Sequence, residues 1–70
     1  MKLVAMTHTI NIGDRYRRVG ERWPAFRVVR LIEFEHHPDH VTLVSENTDR
    51  RSITIGTGEL QDQRHWEPLE

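Results

Sequence analysis

Cysteine is absent from the sequence, which excludes disulfide staples and thiolate metal sites and leaves a reducing compartment open to it. No apolar run approaches the roughly 20 residues that cross a bilayer. Met1 to Met6 has neither the apolar length nor the small-residue cleavage site of a signal peptide. These absences point to a cytoplasmic protein with no membrane partner. Nucleophile-elbow context is missing around Ser45 and Ser52, and the glycines form no phosphate-binding pattern. There is also no internal repeat and no low-complexity segment. Catalysis and a bound cofactor are therefore not expected. Seventy residues make one domain, and a chain of that size buries only about 60% of the surface its unfolded state exposes, so the core must be small.

Apolar, β-rich residues concentrate in three runs, Phe26 to Phe34, Val41 to Ser45 and Ser52 to Ile55. Branched and aromatic side chains suit a pleated, half-buried surface, so the runs read as three consecutive strands. In the third, Ile53 and Ile55 alternate with Ser52 and Thr54, the period of an antiparallel strand with one wet face. In the first, Phe26, Val28, Ile32 and Phe34 share one parity, Val29 and Leu31 the other, and Arg30 interrupts. A bulge near Arg30 in a bent strand reconciles the two; an amphipathic helix is the competing reading.

The first turn, His36 to His40, holds Pro38 and Asp39, both turn formers; the second, Glu46 to Arg50, is a polar loop of hairpin length. Upstream, Ile10 and Ile12 alternate, Gly13-Asp14 makes a turn, and Arg15 to Val19 resumes an extended pattern with Tyr16 as its inward anchor. Gly20 to Pro24 is a loop by composition. Downstream, Gly56 to Gly58 breaks the strand, and Thr57 is placed to cap a short helical turn in which Leu60 plugs the core. His65 to Pro68 closes as a last strand. The expectation is an all-β domain over residues 9–68 of five to six strands with one short helical turn. Residues 1–8 form a leader or edge strand. Residues 69–70, Leu69-Glu70, match a junction commonly left before an affinity tag. The core is expected from Ile12, Tyr16, Val28, Leu31, Ile32, Val41, Leu43, Ile53, Ile55, Leu60 and Trp66.

The order of strand, loop, three-strand meander, helical turn and final strand resembles the SH3-like barrel. Gly13-Asp14-Arg15-Tyr16, Val28 to Ile32, Leu60 and Trp66 also look like small uncharacterised bacterial and prophage proteins with a Gly-Asp-x-aromatic opening, a leucine turn and an aromatic last strand. The resemblance covers about residues 12–68. It implies a binding or assembly role and transfers no catalytic residue. The acidic, aromatic-rich first loop of peptide-binding SH3 domains is missing, which argues against proline-rich ligands.

Three groups of residues carry possible chemistry. His36, His37, Asp39 and His40 are potential metal ligands, but neighbouring histidines on a turn point apart, and the segment reads as a solvated tip. Glu33 and Glu35, two apart and roughly 7 Å from each other on a strand, are spaced like paired carboxylates; nothing apolar nearby would enclose a substrate, so they read as a wet face. The third group is basic. From Arg15 to Arg30 there are six arginines against one acid, whereas Glu33 to Glu70 holds nine acids against three arginines. Arg15 and Arg17 share a strand face opposite Tyr16, and Arg18, Arg22, Arg27 and Arg30 lie close in sequence with Tyr16, Trp23 and Phe26 interleaved. Arg15, Arg17, Arg18, Arg22, Trp23 and Arg27 are the candidate binding residues. Such a set can track phosphates and stack on bases; equally, its arginines can pair with the C-terminal acids while the aromatics fill the core. A protein partner or self-association is the leading expectation, with nucleic acid as the alternative.

Overall fold

A computed structural model describes residues 9–33 and 35–69. The chain forms β1 (Arg15–Arg18), β2 (Ala25–Ile32), β3 (His40–Ser45), β4 (Ser52–Gly56), the short helix α1 (Thr57–Leu60) and β5 (Trp66–Leu69). The five strands make one antiparallel sheet in the order β4-β3-β2-β1-β5, curled into a half-barrel. Among the described residues there are five strands: the Thr9 to Ile12 alternation does not form one. The expected leader lies outside the described residues. No helix among them is long and apolar enough to cross a membrane.

Register explains which side chains go inside. Opposite one another on the inner face stand Tyr16 and Phe26, Val28 and Leu43, Leu43 and Ile53, and Val41 and Ile55. Val28, Val41 and Leu43 are fully buried, joined by Ile10, Tyr16, Ala25, Phe26, Leu60 and Trp66, with Ile53 and Ile55 packed against them. Phe26 meets Trp66 edge to face at 5.4 Å between centroids, the preferred geometry for two aromatic quadrupoles.

The bulge falls where the two parities of the first run collide. Val28 pairs with Leu43 and Arg30 with Thr42, leaving Val29 as the extra residue. Without it Arg30 would share the inward parity of Val28; with it Arg30 lies opposite Thr42 on the outer face, exposed.

Several local expectations are corrected. Ile12, expected inside, is 65% exposed, because it sits in a tight turn in which Asp14 N donates to Asn11 O and Gly13 takes a φ of +98°. Leu31 is also exposed and Ile32 half-buried, since β1 begins at Arg15, opposite Arg27, and leaves the far end of β2 without a strand neighbour on that side among the described residues. β2 ends at Ile32, so neither Glu33 nor Glu35 lies on a strand. Gly56 rather than Thr57 is the N-cap of α1, with no side-chain cap bond, and Thr57 N donates to Asp39 O instead.

Candidate binding surface

Strand alternation divides the arginines of β1 between its two faces. Arg15 and Arg17 project outward, and each finds a carboxylate brought in by a segment distant in sequence, Glu46 from the loop after β3 and Glu67 from β5. Arg15 Nε and Nη2 form a two-pronged pair of bonds to Glu46 Oε2 and Oε1, at 3.0 and 2.9 Å. This planar fork matches carboxylate geometry and is the stronger form of charged hydrogen bond. Arg27, the register partner of Arg15, reaches the same carboxylate at 3.2 Å. Arg17 bonds Glu67, which lies opposite it on β5, at 3.0 Å. Glu46 is held below its ordinary carboxylate pKa, chiefly by the hydrogen bond from Arg15 and against the opposing effect of burial. The same bond raises the pKa of Arg15.

Arg18 lies on the other face with Tyr16. Its guanidinium sits 4.7 Å from the Trp66 ring centroid and 5.7 Å from that of Phe26, a cation–π cover over the open lip of the core. Burial raises the Tyr16 pKa, with Asp14 adding to the effect. Tyr16 and Phe26 are thus core residues rather than stacking platforms. Arg22 and Trp23 lie in the β1–β2 loop, where both are exposed. Trp23 borders a hollow that it shares with Glu46, Asn47, Thr48 and Arg50. The structure therefore gathers Arg15, Arg27 and Trp23 around Glu46. It leaves Arg17 toward β5 and places Arg18 on the opposite face.

The loop that carries Glu46 is fixed by a polar clasp. Buried Ser45 donates through Oγ to Asn47 Oδ1 at 2.8 Å and accepts from Arg51 N at 2.7 Å, while Ser45 N donates to Arg51 O at 2.8 Å. Asn47 Oδ1 also accepts from Arg50 N, and Arg50 adopts a φ of +50°. Beside the clasp lies a shallow hollow of about 500 Å³ lined by Arg27, Val29, Val44, Ser45, Glu46 and Arg50. No group of three or more His, Asp or Glu among the described residues is arranged to hold a metal ion.

Glu46 and Glu67 give the surface its character, and a linear reading sees them only as members of an acidic half. They lie 31 and 50 positions from Arg15 and Arg17, so no local spacing signals these two pairs. Fold and surface together define an open, mostly β module with a charge-compensated outer face. Comparisons of the chain with protein-family models, with curated proteins and with solved structures give no match.

Proposed function

We propose that this chain is an SH3-like half-barrel acting as a non-catalytic binding or assembly module, with a protein as its partner. The observation that carries the reading is the open sheet: among the described residues, β4 and β5 each pair with another strand on one side only. An open edge is a template for a further strand, which adds main-chain hydrogen bonds without needing a catalytic cleft. The strand order, with β1 between β2 and β5 and a short helix before the last strand, supports the SH3-like assignment.

Nucleic acid is the weaker reading because three of the candidate arginines are already bonded to acids. A phosphate would have to displace Glu46 from Arg15 and Arg27, and Glu67 from Arg17. Titration with a random oligonucleotide at low salt, followed by amide chemical shifts, tests this. The expected result is no salt-sensitive shift on Arg15, Arg17, Arg22 or Arg27. A shift on that face that fades steeply with salt, and is lost when Arg15 and Arg17 are both replaced by alanine, would replace the protein-partner reading with nucleic acid.

A further inference from the structure

We propose that β4 is the interface of a symmetric dimer, pairing antiparallel with β4 of a second copy of this chain about a two-fold axis through Thr54. The proposal rests on the assembly reading above and names the edge, the occupant and the register.

The two outer strands differ in what their backbones offer. Beside β5, Val19 N donates to His65 O, and the β1–β5 register continues through Arg18 opposite Trp66 and Arg17 opposite Glu67. Bonded and non-bonded pairs alternate in an antiparallel ladder, so Glu67 and Leu69 turn their amides to β1, while positions 66 and 68 face outward. Trp66 N is already given to Asp62 O at 3.0 Å, and Pro68 has no N–H. The outer edge of β5 therefore offers no free backbone donor, the device by which sheets refuse a further strand.

β4 has no such protection. Ser45 N donates to Arg51 O, and the register runs on as Leu43 opposite Ile53 and Val41 opposite Ile55. By the same alternation Ile53 and Ile55 bond to β3, and the N–H groups of Ser52, Thr54 and Gly56 face outward. None of the three has a backbone partner among the described residues. Ser52–Gly56 contains no charge and no proline, and its ladder with β3 runs without a register shift. Lys, Pro and bulges are the usual guards of a lone edge, and this one carries none.

The edge is also self-complementary. Antiparallel pairing centred on Thr54 sets Thr54 opposite Thr54, Ile53 opposite Ile55 and Ser52 opposite Gly56, so apolar meets apolar on the inner face and small polar residues meet on the outer. Ile53 and Ile55 are only partly buried in the single chain, and the pairing continues the core across the axis. Beyond the strand the register sets Arg51 opposite Thr57 of the second copy, where α1 begins. Because both copies use the same edge and β5 is sealed, the contact closes at two. An edge this short buries less than a standard interface, so the dimer is expected to be concentration-dependent.

Sedimentation of the full chain up to about 1 mM, with Thr54→Lys, Thr54→Glu and Thr54→Pro beside it, tests the proposal; amide spectra establish that each variant is folded. Wild type is expected to dimerise. Thr54→Pro should weaken the dimer at least about tenfold by removing the donors at the axis. Thr54→Lys and Thr54→Glu should each weaken it about fivefold through like charges directly opposed. An equimolar mixture of those two should recover wild-type affinity, which happens only if residue 54 faces itself. A dimer unchanged by all three substitutions would overturn the β4 interface while leaving assembly standing. A strict monomer would overturn the dimer itself, and one whose Thr54 amide is slow to exchange would show that the chain covers its own edge. The oligonucleotide titration judges the broader protein-partner reading separately.

Discussion

The two halves of β2 are built from similar residues and meet different fates. Through Arg27 the strand pairs with β1, and Val28 exchanges backbone bonds with Gly13 and Asp14 just before β1; from Val29 onward β3 is its only sheet neighbour among the described residues. Val28 is 0% exposed and Val29, the next residue and the same side chain, is 43% exposed. The hydrophobicity of valine is identical at both positions, so the difference belongs to placement: Val28 stands on the inner face opposite Leu43, whereas Val29 is the extra residue of the bulge and borders the outer hollow with Arg27 and Val44. Periodicity names the face on which a residue stands, and topology decides whether anything covers that face.

Substitution can break this comparison most sharply. Val28→Ala should cost about 2–3 kcal/mol, combining lost burial with a cavity in a close-packed core. Val29→Ala should stay within about 0.5 kcal/mol. Denaturant melts of both variants measure the contrast, and equal losses would mean that Val29 is covered by something the single chain does not provide.

A smaller effect is expected on the polar side. Glu46 joins the covered half of β2, through Arg27, to β1, through Arg15. Glu46→Gln keeps the shape, weakens the charged bonds and should cost about 1 kcal/mol at neutral pH. Its folded pKa is lowered from the ordinary 4.5. The folded state thus takes up this proton less readily than the unfolded chain, and the contribution is present above the ordinary carboxylate value and lost as pH falls from there through the lowered folded value. Wild type and variant should converge in stability in acid. Asp62, lowered to about 2 by its bonds from Arg64, adds a similar loss between its ordinary 3.8 and that value in both proteins. Melts from neutral pH down into the acid range measure the convergence, and a constant gap would remove the charge from the explanation.

The smallest effect concerns the loop that delivers Glu46. Arg50 holds a left-handed backbone, which favours glycine, so Arg50→Gly should stabilise by about 0.5 kcal/mol once the extra freedom of the unfolded glycine is subtracted. A thermal melt checks it, and destabilisation would mean that the Arg50 side chain contributes more than its backbone costs.

Much of the fold was readable because it is local. The meander, the bulge beside Arg30, the inward Tyr16 and the Leu60 plug all follow from alternation and turn chemistry within a few residues. Ile12 and Leu31 misled because their parity or apolarity is genuine but no strand among the described residues lies over them. The division of the arginines was partly legible, since Arg18 shares the parity of Tyr16 and so belongs on the inner side. The neutralisation of Arg15 and Arg17 was not, because it depends on β5 returning beside β1 and on the loop after β3 reaching the same face. Such pairings are set by the whole topology and leave no short pattern in the chain.

The return of β5 also has a consequence in time. Arg17 and Glu67 are 50 positions apart, so the ladder that seats Trp66 against Phe26 closes one of the longest loops in the fold, whereas β3 and β4 are joined by a short hairpin. Loop closure of that length comes at an entropic cost before its contacts form, which favours early zippering of the hairpin and late docking of β5. On the ribosome the order is enforced, because β5 is made after β1 to β4 and α1. Until it emerges, the ring of Phe26 lacks its aromatic partner and the guanidinium of Arg18 lacks the indole it covers. The nascent meander therefore waits with one side of its core unsealed, and the last residues of β5 to be synthesised complete the fold.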